Sequence, residues 1–424
     1  MKKNRSIFLL VILSIFGFAL AQRQPRAMQE IGVDASISNI PIDEVLSGGP
    51  PPQGIPGLGF SGDWKGAAEA SRQEPIFVPQ NVAKQWIGED EPIAVLSIGD
   101  ETKAYPIQIL TWHEIINDTI GGRPVTVSFC PLCNSTIAFD RRIPLSQAAL
   151  DNLLTINPDV ELSDPSKEFL AKYKDLGEDA DSIVKLAEVT FGVSGMLYNS
   201  NLLMFDTVSS TLWSQILAQG NVGTLTNTQL LRIPTQILSF SELQESFPKA
   251  LVLSRDTGHS RRYGSNPYVG YDLVDSRPFL FDKLVDDRML AKTRIVSVEI
   301  ADEAVAYKYE TLAENNLVND LIADKPIVVF WQAGLNSALD ASQIKNSKDV
   351  GEVGVFSREL NGKVLEFEYK NDVFKDKQTG STWNILGQAI DGELKGSNLD
   401  PIIHDNTLWF AWAAFKPETR VYAQ

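Results

Sequence analysis

Cysteine is nearly absent: Cys130 and Cys133 are the only two in 424 residues. That scarcity excludes a scaffold built on disulfides, and about 400 residues can bury a large core without them. Histidine is limited to His113, His259 and His404. Positive charge is also short, with 38 Lys and Arg against 54 Asp and Glu and a formal net charge of −16. So acidic a surface repels phosphate backbones and anionic lipid heads, so no nucleic-acid partner is expected. No phosphate loop, dinucleotide fingerprint, Ser-His-Asp signature or HExxH motif occurs, and no nucleotide cofactor is expected. Long apolar runs are missing except for residues 7–21, which follow Lys2, Lys3 and Arg5 and end in Ala19-Leu20-Ala21. At about 15 residues this run reads as a secretory signal peptide over residues 1–21, with no transmembrane span left after its removal. Loss of its three basic residues takes the charge from −16 to −16 − 3 = −19. The mature chain is then expected outside the cytoplasm (periplasmic, cell-surface or secreted), where unprotected thiols oxidise.

Residues 22–72 are dense in Pro and Gly, as in "SGGPPPQGIPGLGFSG", and read as a flexible tether. Beyond them the pattern predicts an α+β, predominantly β chain. "PIAVLSI", "KAYPIQI", "PVTVSF" and "STIAFD" read as strands. Thr111 and Glu114 fit a capping box, which predicts a short helix over "TWHEIINDTI" with His113 in its first turn. Residues 143–188 read as a helical insertion of three short helices. Laying residues 98–135 over 300–337, an offset of 202, needs no gap and gives 13 identities where about two or three are expected by chance. A fainter echo relates "DTVSSTLWSQ" (206–215) to "DKQTGSTWNI" (376–385). Two β-rich repeats packed as a pseudo-dimer are therefore expected, the first over 73–290 and the second over 291–424.

The alignment replaces Cys130 and Cys133 by Gln332 and Leu335, and His113 by Asn315, while Asn117, Asp118, Asn134 and Ser135 recur. Joint loss of two thiols and an imidazole is what one shared site would produce. A Cys-Pro-x-Cys turn between strands resembles a metal knuckle, in which Asn134 suits the positive φ after the second thiol. The leading expectation is therefore a transition metal, copper or zinc, held by His113, Cys130 and Cys133. A helix-start position would lower the His113 pKa and favour the neutral ligand. His404, His259, Met196, Met204, Asp140 or water would supply a fourth ligand. One alternative is a structural Cys130–Cys133 disulfide in a module that binds small ligands. Another is a thiol-dependent redox enzyme, with His113 oriented by Glu114 or Asp118. The hairpin context weighs against the redox alternative, because no helix N-terminus follows the thiols.

Residues 254–272, with Arg255, Arg261, Arg262, Tyr263, Tyr268 and Tyr271, suit either carboxylate or sugar recognition or a clasp between the repeats. Trp213, Trp383, Trp409 and Trp412 are expected in the core, and His404 at a polar surface edge. Taken together, "ILTWHEIINDTIGGRPVTVSFCPLCNSTIAFDR", "FGVSGMLYNSNLLMFD", "DTGHSRRYGSNPYVGYD" and the Trp-rich C-terminus resemble domain-of-unknown-function family 3179 from about residue 75 onward. The resemblance implies an exported protein and no particular activity. Its motif residues fall on His113, Glu114, Asn117, Asp118, Cys130 and Cys133. The chain departs from the pattern at His259, where relatives show Tyr, and at Lys416, where they show His.

Overall fold

The computed structural model of the chain describes residues 25–60 and 67–423; the expected signal peptide over 1–21 lies outside them. The fold is predominantly β, in several sheets. Among the described residues no helix is long and apolar enough to cross a membrane.

Three sheets organise the earlier part of the chain. In the first, Pro92–Ile98 pairs with Gln236–Ser239 and Glu101–Pro106, and Leu251–Leu253 joins in parallel beside Glu101–Pro106. In the second, Arg123–Cys130 lies between Ile115–Ile120 and Ser135–Asp140. The third is an antiparallel meander, Phe191–Tyr198, Asn201–Asp206, Leu212–Ser214 and Gln219–Val222, with Leu46–Ser47 on its edge. A similar order of elements follows later in the chain. Arg294–Ile300, Glu303–Lys308, the helix Tyr309–Asn315, Leu317–Ile322 and Lys325–Gln332 each lie 202 residues beyond an earlier element with the same bounds.

The recurring residues make recurring contacts. Tyr105 donates to Asp118 at 2.6 Å and Tyr307 donates to Asp320 at 2.7 Å. Asn117 exchanges two hydrogen bonds with the Phe191 backbone, and Asn319 does so with that of Phe367. The indole N–H of Trp213 reaches Asp206 at 2.9 Å, and that of Trp383 reaches Asp376 at 3.0 Å. Each of these closes a buried polar group that would otherwise be unsatisfied.

The correspondence ends at Cys130 and Gln332. Cys130 pairs across a four-residue turn (131–134) with Ser135, whereas Gln332 pairs with Glu352 across residues 333–351. The aligned Asn336 and Ser337 therefore sit in a long loop, not in a hairpin turn. Asn336 takes the Asp90 carbonyl and Ser337 binds Asp272. The last two identities of the gap-free alignment thus correspond to no shared structural role.

Three other expectations are corrected. Residues 25–60 are no tether: Met28, Ile31, Val45 and Phe60 enter a core with Met196 and Phe205, and Leu58 bonds into the strand at Ile115 and Asn117. Gly59 (φ 64°) serves close approach rather than flexibility, since a Cβ there would lie 2.1 Å from the Asn117 carbonyl oxygen. Residues 143–188 hold two helices, Gln147–Ile156 and Lys167–Asp175; the third expected helix is the strand Ile183–Glu188, paired with Arg142–Ser146. The helix near His113 starts earlier than expected and is Ile107–His113, so His113 closes it. Thr111 is no cap; its hydroxyl bonds back to the Ile107 carbonyl from inside the helix. Trp213, Trp383, Trp409 and Trp412 are all buried.

Candidate functional site

Both cysteines are buried free thiols in a turn that the local sequence builds. Strand Arg123–Cys130 ends where Pro131 removes a donor, the N–H of Cys133 bonds to the Cys130 carbonyl at 3.2 Å, and Asn134 takes φ 53°. The later part of the chain braces this turn: the Leu408 N–H and the Thr407 hydroxyl both donate to the Cys133 carbonyl, at 3.0 and 2.9 Å. Across from it, Asn199 and Ser200, both at positive φ, form the tight turn of the hairpin Phe191–Asp206. The two thiols aim at the Ser200 carbonyl, Cys133 at 3.5 Å and Cys130 at 3.8 Å. Asn201 donates to the Cys133 sulfur at 3.5 Å. Gln215 ties the hairpins together, bonding Ser128, Ser135 and Asn201.

The thiols are inequivalent. Burial raises the Cys130 thiol, but a hydrogen bond from Cys133 and backbone N–H groups of Leu202, Cys133 and Leu132 outweigh it, and the net shift is downward. Cys133 is pushed well up by burial first, then by its bond to Cys130 and the Cys130 charge. The two therefore titrate as one pair, with the negative charge favoured on Cys130. The role expected of a helix N-terminus is filled here by strand and turn amides.

Cys130, and not Cys133, lines a cavity of about 340 Å³. Its walls are apolar, from Pro50, Ile55, Met196, Leu202 and Phe279 among others, with Tyr268, Tyr271 and Glu114 adding polar groups. The volume and lining are those of a small-molecule pocket. Glu114 stands one residue past the helix end at φ 58°, ψ −32°. Burial, and then the nearby Cys130, raises its carboxyl to about 8.

The structure does not bring His113 to the sulfurs. Its Nδ1 donates to the Pro56 carbonyl at 2.7 Å and its Nε2 accepts from Tyr263 at 2.6 Å. Its pKa falls to about 4 through burial, at a helix C-terminus rather than the expected N-terminus. Among the described residues no group of three His, Cys, Asp or Glu side chains is arranged to hold a metal ion, so the expected His113, Cys130 and Cys133 trio is not formed. Glu114, one step further along, reaches the thiol cavity instead.

The other expected ligands are engaged elsewhere. His259 faces Ser71 at 3.1 Å, with its ring centroid 5.4 Å from that of His113. Asp140 pairs with Arg142 and Arg123. His404 is half-buried at the start of the strand His404–Leu408, and its Nε2 is buried with no partner among the described residues. Met204 is core, while Met196 lines the cavity. The Arg/Tyr loop is tied to other parts of the chain: Asn266, Gly270 and Tyr271 bond to the backbone at 339–342, and Arg255 is spent on Gln108 and the Trp86 face. It also supplies two cavity residues, Tyr268 and Tyr271. Sequence reasoning missed Ser200, Asn201 and Gln215, and it weighed Glu114 as a capping-box residue, a family motif residue and an orienter of His113, not as part of a cavity. The available signal was Asn316, which the offset of 202 places opposite Glu114 and which stands at φ 62°.

The chain is a scaffold of β sheets that holds a pair of free thiols beside a pocket. The sequence profile of the family described as Protein of unknown function (DUF3179) matches residues 54–419, and the chain belongs to that family. No curated protein and no solved structure matches the chain.

Proposed function

We propose that Cys130 and Cys133 form a thiol–disulfide exchange site that acts on a molecule entering the cavity. The observation that carries this reading is the geometry of the pair: Cys130 lines the cavity, Cys133 does not, and the two thiols are hydrogen-bonded to each other. The Cys130 thiolate attacks one sulfur of a substrate disulfide. The substrate's S–S bond breaks, and its leaving thiolate takes up a proton. Cys133 then loses its proton and attacks the Cys130 sulfur, releasing the second substrate thiol. The substrate is reduced to two thiols and the protein pair is oxidised to a disulfide; the reverse sequence oxidises a dithiol. Metal holding finds less support, because His113 is committed to Pro56 and Tyr263.

Export of the chain, read from residues 1–21, belongs to the same proposal and would put the pair where disulfides persist. So does duplication of a β-rich unit, supported by the shared offset and the paired Tyr–Asp, Asn–Phe and Trp–Asp contacts. In that reading one copy kept the framework alone and the other carries the site.

The test is to expose the reduced Cys133→Ser chain to a small disulfide and measure intact mass. A stable mixed disulfide on Cys130, fleeting in the parent chain, is expected. No adduct on Cys133→Ser, or an equally long-lived adduct on both chains, overturns the reading.

A further inference from the structure

We propose that the substrate of the thiol pair is a small neutral disulfide with an apolar body and a hydroxyl or amide group, recognised through a hydrogen bond from Glu114. This assignment rests on the exchange reading above.

Glu114 occupies φ 58° at a helix end, and Asn316 occupies φ 62° at the end of the helix 202 residues later. Asparagine tolerates the left-handed region because its short amide bonds locally; a glutamate does not share that ease. Backbone fit therefore selects Asn, and a Glu held there is retained for its side chain.

Glu114 is only 8% exposed, yet no hydrogen bond from protein reaches its carboxyl among the described residues. Its oxygens are not sealed in the interior but open into an apolar cavity, where a partner must come from whatever enters. Ser200, Asn201 and Gln215, all close to the thiols, are by contrast fully engaged with protein groups. Glu114 instead lines the cavity, where two phenols and Cys130 are the only other polar side chains.

The remaining wall sets the ligand class. Pro50, Ile55, Val193, Met196, Leu202 and Phe279 offer no partner for charged groups, and about 340 Å³ admits a small body but no folded chain. With its carboxyl raised to about 8 by burial and then by Cys130, Glu114 is a neutral acid near pH 7, both donor and acceptor. That matches a hydroxyl or amide. The anionic glutathione type of disulfide meets neither the apolar wall nor the acidic chain.

The experiment measures mixed-disulfide formation on the full Cys133→Ser chain with hydroxyethyl disulfide, diethyl disulfide and glutathione disulfide, each rate divided by that with a free small thiol. Hydroxyethyl disulfide is expected to exceed diethyl disulfide by at least about 10-fold, with glutathione disulfide slowest. Adding Glu114→Leu is expected to bring the first two within about twofold of each other, while Glu114→Gln, which keeps a hydrogen-bonding group, retains the preference. Equal rates for hydroxyethyl and diethyl disulfide, a glutathione rate as high as either, or a preference that survives Glu114→Leu overturns the assignment and leaves the exchange reading standing. Absence of any adduct with all three overturns both. Should Glu114→Leu misfold, the three-disulfide comparison on the Cys133→Ser chain alone decides.

Discussion

Tyr105 and Tyr307, Asn117 and Asn319, and Trp213 and Trp383 make the same bonds in the earlier and later parts of the chain. At the offset of 202, Cys130 and Glu114 correspond to Gln332 and Asn316, and the four-residue thiol turn to a loop of residues 333–351. These shared bonds satisfy polar groups of the interior, whereas Cys130 and Glu114, which have no like residue 202 positions later, both line the cavity. Comparing the two regions thus sets the contacts that both retain apart from the groups that only the earlier one places at a pocket.

Substitutions can break that separation in order of expected size. Cys130→Ser should slow reaction with small disulfides by at least about 100-fold while the chain stays folded; a smaller loss would return Cys130 to the framework. Asn117→Ala should cost about 3 kcal/mol, because buried Asn117 makes four hydrogen bonds to three residues: one to Leu58, one to Thr126, and two to Phe191 through its N–H and its carbonyl. Asn319→Ala, with its two bonds to Phe367, should cost about 1–2 kcal/mol by the same denaturant measurement.

Acidity provides a third handle. Folding raises the Glu114 carboxyl from its ordinary value near 4.5 to about 8, so its folded form holds a proton that the unfolded chain releases. The resulting stability is full below about 4.5 and is lost as pH climbs through about 8. Denaturation midpoints should fall over that window, and Glu114→Gln should flatten the fall. Smallest is a reciprocal swap: Glu114→Asn should gain about 1 kcal/mol and Asn316→Glu lose about as much, since each moves the strained backbone position toward or away from its better residue.

Much of the fold was legible where the cause was local. The hairpin around the thiols follows from alternating apolar residues, Pro131 and an Asn able to take positive φ, and the buried tryptophans follow from their apolar surroundings. The helix boundary misled because Thr111 and Glu114 have capping-box spacing, while the actual start follows Pro106. That error of one turn put His113 in the site and left Glu114 out. Residues 25–60, part of the expected tether over 22–72, were misread because Pro and Gly mark flexible chain as readily as chain pressed closely against a strand. The cavity itself had no local signature: Met196, Tyr268 and Phe279 come from segments far from Cys130 in sequence and meet it only through the packing of hairpin, loop and strand.

The most direct measurement is alkylation of the reduced native chain by a small neutral reagent near pH 7, with peptide mapping to assign the modified sulfur over time. The account predicts that Cys130 is modified first and that Cys133 lags well behind. Modification of Cys133 first, or neither sulfur reacting until denaturant unfolds the chain, would contradict it.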